Sequence, residues 1–293
     1  VLLGGAGAIG LVAIGGLAAA CGGGDDEDSS DTTVGEETKN LLSVFNAQGP
    51  FLITGAEQRI TYALADFEGV PVEGPESLTF RLVPPSGGDG TEVDADRHDE
   101  GVPTPYYPLR FTPDEEGIWT ALVEVDGQEA EASFSVSPPE DVTVLARGAA
   151  VPRVETATVT APGGVDPVCT AEPPCALHDV TLAEALDEGT PIALLVATPA
   201  FCATAVCGPV LDVLLAVQEQ LPDVRYLHAE VYENPLAVDN VAQATPTALT
   251  QELGLTYEPS LFLIGADGTL VDRLDNIYDE AEAAQAIEAL SAG

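Results

Sequence analysis

The chain has 293 residues, enough for two domains that each bury a core, with 49 acidic residues against 9 basic ones and a net charge of −40. So negative a surface repels phosphate backbones and anionic headgroups, which argues against nucleic acid as a partner. Acidity of this kind fits solubility in a salty medium or a compositional bias better than a recognition surface.

Residues 1–20 contain only Gly, Ala, Leu, Ile and Val, and the segment ends in Leu17-Ala18-Ala19-Ala20-Cys21. Small residues ahead of a single cysteine resemble a bacterial lipobox. The resemblance implies that residues 1–21 are a signal peptide and that Cys21 is the lipidated residue, anchoring the protein on the extracytoplasmic face of the cell membrane. Ala18 departs from the leucine usual at that place, and no basic stretch precedes the apolar run. A transmembrane helix is the alternative, but the glycines and the abrupt polar switch favour the signal. The chain holds no methionine, which suggests a start further upstream. Residues 22–40 (GGGDDEDSSDTTVGEETKN) lack apolar periodicity and read as a disordered acidic tether.

Residues 41–137 carry short alternating runs divided by Gly, Pro and Asp turns, the pattern of an all-β domain. Runs at 59–65, 78–83 and 106–111 precede the clearest element, a hairpin of 118–125 (IWTALVEV) and 128–136 (QEAEASFSV) around Asp126-Gly127. Asp-Gly supplies the positive φ angles of a type I′ turn, which places Trp119, Ala121, Val123 and Val125 on one face. The frame FTPDEEGIWTALVEVDG resembles the last hairpin of bacterial immunoglobulin-like sandwiches; Trp119 is expected to be a core residue and the domain to have a spacer or docking role. Residues 138–167, rich in Pro, Val, Thr and Gly, are expected to be an extended linker or a terminal strand.

A second domain is expected over 168–293. Thr181-Leu182-Ala183-Glu184 is a capping box, followed by a strand at 192–197 (IALLVA) and a helix to about residue 221 with Val210, Leu214, Val217 and Leu221 on one stripe. A strand at 224–231, a helix at 248–253, a strand at 260–264, a turn at Ala266-Asp267-Gly268, a strand at 269–274 and a helix at 279–290 complete an α/β order. That order, with Asn234-Pro235 after the second strand, Gly208-Pro209 in the helix and Glu258-Pro259-Ser260 before the hairpin, resembles the thioredoxin fold. The resemblance makes Pro259 a cis proline lying against the active-site sulfurs and Cys202 the nucleophilic cysteine, with Cys207 as its partner. The expected class is therefore multidomain, an all-β immunoglobulin-like sandwich followed by an α/β thioredoxin-like fold.

Two departures bear on the chemistry. The family spaces its cysteines C-x-x-C, whereas Cys202 and Cys207 are C-x4-C. Five residues of helix would turn the second side chain about 140° away and raise it about 7.5 Å, so the pair can close only if the intervening segment is loop with the helix starting at Gly208, or if that turn unwinds. The buried acid that accepts a proton in thioredoxins has no match within 193–197. Thr198-Pro199 is similar to a peroxiredoxin class, but Leu194 and Glu258-Pro259 stand where that site needs Pro and Arg. Thioredoxin-like copper chaperones need a histidine before the hairpin, and none follows His228, which reads as a strand residue; His178 near Cys175 has a minor claim as a ligand. Cys169 and Cys175 bracket a Pro-stiffened loop and are expected to form a structural disulfide. A zinc site drawing on Cys169, Cys175, Cys202 and Cys207 is conceivable, but neither pair has the usual spacing, so neither metal nor cofactor is expected.

These features predict thiol–disulfide exchange with extracytoplasmic protein partners. The alternative is a silent binding or scaffold module with structural disulfides; copper delivery and peroxide reduction rank behind both. The lipobox gives a direct test. In a bacterial host with the start restored, the chain should partition into detergent and label with palmitate, and Cys21→Ser should abolish both; uncleaved, unlabelled protein would contradict the anchor.

Overall fold

The computed structural model describes residues 39–202 and 205–292, and the expectations for the signal peptide, for Cys21 and for most of the tether fall outside them. No helix among the described residues is long and apolar enough to cross a membrane.

The N-terminal part is a β-sandwich. One sheet holds β1 (Asn40–Ser43), β3 (Gln58–Ala65), β4 (Pro71–Val72) and β7 (Tyr107–Phe111), all paired to β3 in antiparallel fashion. The other runs in the order β2 (Leu52–Ile53), β9 (Gln128–Ser137), β8 (Gly117–Val125), β5 (Ser77–Val83) and β6 (Thr91–Asp96). The β8–β9 hairpin turns at Asp126 (φ 53°) and Gly127 (φ 77°), as Asp-Gly predicts. Trp119, Ala121, Val123 and Val125 are buried together, Trp119 stacking on Phe134 and donating its indole N–H to the Glu115 carbonyl at 3.0 Å. Trp119 is a core residue with a satisfied polar edge.

The α/β part is a four-stranded sheet in the order β11 (Arg225–Ala229), β10 (Ile192–Val196), β12 (Ser260–Ile264), β13 (Leu270–Asp275). β10 and β11 are parallel, while β12 and β13 run antiparallel to their neighbours. The continuous apolar run of β10 follows from burial on both faces. Ala193 and Leu195 pack with α2 (Cys207–Gln220) and α4 (Glu280–Ala292), and Ile192, Leu194 and Val196 pack with α1 (Leu182–Glu188) and α3 (Ala248–Glu252). α1 opens on the expected capping box, Thr181 accepting from the Glu184 N–H and Glu184 from the Thr181 N–H. This is the α/β order expected from the sequence.

Two expectations of organisation are altered. Residues 138–167 are not a free spacer: the N–H groups of Leu145, Gly148 and Val151 donate to the carbonyls of Leu253, Leu270 and Gly268, and Val144 and Val151 are buried in the layer of α1 and α3. Their valines supply apolar contacts that a solvated linker would not need. The described residues, moreover, cluster as one compact unit rather than two.

A buried ion pair joins the sandwich to the α/β part. Arg59 of β3 bonds both carboxylate oxygens of Glu282 in α4, at 2.6 and 2.7 Å, and reaches the carbonyls of Asp275 at 3.0 Å and Ile277 at 2.6 Å. Tyr106 donates to Glu282 at 2.6 Å, and His98 Nδ1 lies 2.7 Å from Asp279. Burial pushes the Glu282 carboxyl up, but the Arg59 charge and its hydrogen bonds outweigh it and hold the group below the usual range. This linkage is therefore intact above the ordinary carboxylate pKa and is lost as the pH falls through the lowered one. Arg59→Ala should destabilise the chain by about 3–5 kcal/mol by stranding the buried carboxylate, measured by urea unfolding near neutral pH. A change under about 0.5 kcal/mol, the size expected at an ordinary surface position, would contradict the linkage.

Candidate functional site

β10 delivers the chain to Thr198-Pro199-Ala200-Phe201-Cys202 at its C-terminal end. The segment turns rather than coils into helix: Phe201 N–H donates to the Thr198 carbonyl at 3.0 Å and Ala205 N–H to the Cys202 carbonyl at 3.2 Å, with Ala205 at φ 57°. α2 begins at Cys207, so Cys202 stays in the loop and the Cα atoms are 5.9 Å apart, within reach of the disulfide that joins them. The loop solution to the C-x4-C spacing is thus the one adopted, with the helix opening one residue earlier than Gly208. Pro209 falls third in the helix, still within the first turn, where a missing N–H leaves no helical bond unmade.

The two sulfurs sit in different surroundings. Cys207 is fully buried at the first helical position, whereas Cys202 is half-buried in the loop. The helix start belongs to Cys207, and Cys202 lies ahead of it.

The acid missing from β10 comes from another element. Antiparallel pairing sets Val196 opposite Ser260, which brings Glu258 and Pro259 beside Ala197 and Thr198. The Glu258–Pro259 peptide is cis, as the resemblance implies. Glu258 Oε2 accepts the Thr198 N–H at 2.5 Å and lies 3.6 Å from Cys207 Sγ. Burial pushes the Glu258 carboxyl up to about 7, against the opposing hydrogen bonds from the Thr198 backbone and side chain. Sequence reasoning missed this residue by searching only 193–197. The available signal was its place directly before Pro259, where the resemblance already puts the chain against the sulfurs.

Cys169 and Cys175 do not form the expected bridge: both are free, with sulfurs 3.7 Å apart, and two imidazoles occupy the space around them. His228 lies in β11 with Nε2 3.0 Å from the Ala197 carbonyl oxygen and Nδ1 3.4 Å from Cys175 Sγ, and burial pushes its pKa down. His178 Nε2 is 3.4 Å from the same sulfur. Thr170 Oγ1 accepts the Ala200 N–H at 3.2 Å, so this loop is tied to the segment leading to Cys202. Thr170 also donates its N–H to Glu230 at 2.6 Å, and burial pushes the Glu230 carboxyl up to about 8. The structure therefore brings Cys202, Cys207, Glu258 and Pro259 together at the end of β10, and gathers Cys169, Cys175, His178 and His228 separately.

No family model and no curated protein matches the chain. Among solved structures, it is similar to a thiol:disulfide interchange protein of the thioredoxin family from Chlorobium tepidum TLS, at 13% identity over 50% of this chain and 98% of that one, with a TM-score of 0.33. It is also similar to the Lin-41 filamin domain, at 17% identity over 34% of this chain and 91% of that one, with a TM-score of 0.24.

Proposed function

We propose that the protein is a thiol–disulfide oxidoreductase acting on extracytoplasmic proteins, held at the membrane through Cys21. The observation that carries the reading is the buried Glu258 carboxylate 3.6 Å from the inner sulfur of a Cys202–Cys207 disulfide whose outer sulfur is half-buried in a loop. A bridge with a purely structural role has no use for a proton acceptor at one of its sulfurs.

In the reduced protein, the Cys202 thiolate attacks a partner disulfide and forms a mixed disulfide while one partner sulfur leaves as thiolate. Cys207 then passes its proton to Glu258 and attacks Cys202, which re-forms the Cys202–Cys207 bond and releases the second partner thiolate. The partner gains two electrons and the protein loses them; the reverse sequence oxidises a partner dithiol. Glu258 can accept the proton only when ionised, and its pKa of about 7 poises it for neutral conditions. A groove between Pro173 and Pro174 on one side and Gly208 and Leu211 of α2 on the other adjoins the approach to Cys202 and is suited to an extended partner segment.

The resolving step should therefore quicken as the pH rises through about 7 and then level off. Glu258→Gln should remove that inflection and slow resolution by at least about 100-fold in stopped-flow exchange with a model disulfide, while Cys207→Ser should accumulate mixed disulfides through Cys202. An unchanged pH profile in Glu258→Gln would overturn the role of the acid. Failure of Cys207→Ser to trap any disulfide substrate would overturn the activity.

A further inference from the structure

We propose that Cys169, Cys175, His178 and His228 form a tetrahedral zinc site, separate from the Cys202–Cys207 pair. Their four ligating atoms all lie within 4.8 Å of one another. Zinc bond lengths of about 2.3 Å to sulfur and about 2.05 Å to nitrogen require tetrahedral edges of about 3.8 Å for S–S, about 3.6 Å for S–N and about 3.3 Å for N–N. The corresponding separations are 3.7 Å between the two sulfurs, 3.8 Å from Cys169 to His228, 3.4 Å from Cys175 to each histidine, and 3.1 Å between His228 Nδ1 and His178 Nε2. One cation at the centre would satisfy these five of the six edges to within a few tenths of an ångström, and the sixth, from Cys169 to His178, lies within 4.8 Å.

The surroundings fit the same occupant. His228 has Nε2 3.0 Å from the Ala197 carbonyl, so that nitrogen carries the proton and the Nδ1 lone pair faces the sulfurs, the outer hydrogen bond that a ligating histidine ordinarily makes. The Cys175 N–H points at Cys169 Sγ at 3.4 Å, a contact that favours thiolate. Two thiolates neutralise a divalent cation, so the buried site carries no net charge. A disulfide between Cys169 and Cys175 would leave unexplained why two imidazoles converge on the sulfurs. Two sulfur and two nitrogen donors at tetrahedral spacing suit zinc over the harder cations, which take oxygen. The spacing hides the site because its four ligands come from the Pro-rich loop, from the approach to α1 and from β11. Since Ala197 and the Thr170–Ala200 contact tie this cluster to the chain entering Cys202, the metal would brace the loop beside the redox pair.

The test uses the full chain, reduced and stripped with a chelator, titrated with cobalt(II) and then zinc(II). Tetrahedral cobalt bands with thiolate charge transfer, saturating at one equivalent and bleached by zinc, are expected. The Cys202→Ser/Cys207→Ser double variant should keep them, and its retention separates this site from the exchange activity. Cys169→Ser and His228→Gln should each weaken binding by more than the roughly 10–100-fold that loss of an outer partner alone costs, with circular dichroism confirming that each variant is folded. Absence of the tetrahedral bands, bands that survive in Cys169→Ser, preference for copper(I) with no zinc retained, or a Cys169–Cys175 disulfide in metal-replete protein would overturn the proposal.

Discussion

Two sulfurs five residues apart cannot be joined along a helix, and the functional end of this chain is arranged around that constraint. Because α2 starts only at Cys207, Cys202 lies outside it and the Cα separation is 5.9 Å. Cys207 is fully buried there and Cys202 half-buried. The inner sulfur lies beside the Glu258 carboxylate. With a C-x-x-C spacing both cysteines could ride one helical turn; here the carboxylate beside the pair comes from the segment before β12, because β10 is apolar on both faces.

The second constraint is charge. A chain of net charge −40 has few cations to place, and four of its nine basic residues, Arg59, Arg110, Arg147 and Arg273, stand where the sandwich meets the α/β part. Arg110 pairs with Asp272 at 2.8 Å, Arg147 with Glu57 at 2.9 Å, and Arg273 reaches the Leu145 carbonyl at 2.9 Å while its guanidinium lies over the Phe51 ring. These contacts offset the repulsion that two acidic halves would otherwise exert on each other. They also make the sandwich part of the support for β13 and α4, so its role is closer to a buttress than to a spacer.

Much of the fold was legible in the sequence, where local rules agree with the tertiary structure. Asp126-Gly127 specifies its hairpin, Thr181 and Glu184 their cap, and the unbroken run of β10 a strand buried on both sides. β6 was missed because Glu92, Asp94 and Asp96 of this edge strand are exposed and only Ala95 is buried, which leaves a weak alternation. Residues 138–167 were misread because prolines spaced among valines look alike in a solvated linker and in an irregular segment pressed against a core. The candidate site was legible where one residue type carries the signal, as with Cys202, Cys207 and Pro259. Glu258 and the grouping of His178 and His228 with Cys169 and Cys175 were not, because those depend on strand register and long-range packing rather than on spacing.

The central claim is that Cys202–Cys207 is a working couple rather than a permanent staple, and its reduction potential, set by equilibration with glutathione or thioredoxin buffers, tests this most directly. The account predicts a potential well above about −300 mV, in the range where cellular dithiols exchange. A value below about −300 mV would mark the bridge as structural and would favour a thioredoxin-like module without exchange activity.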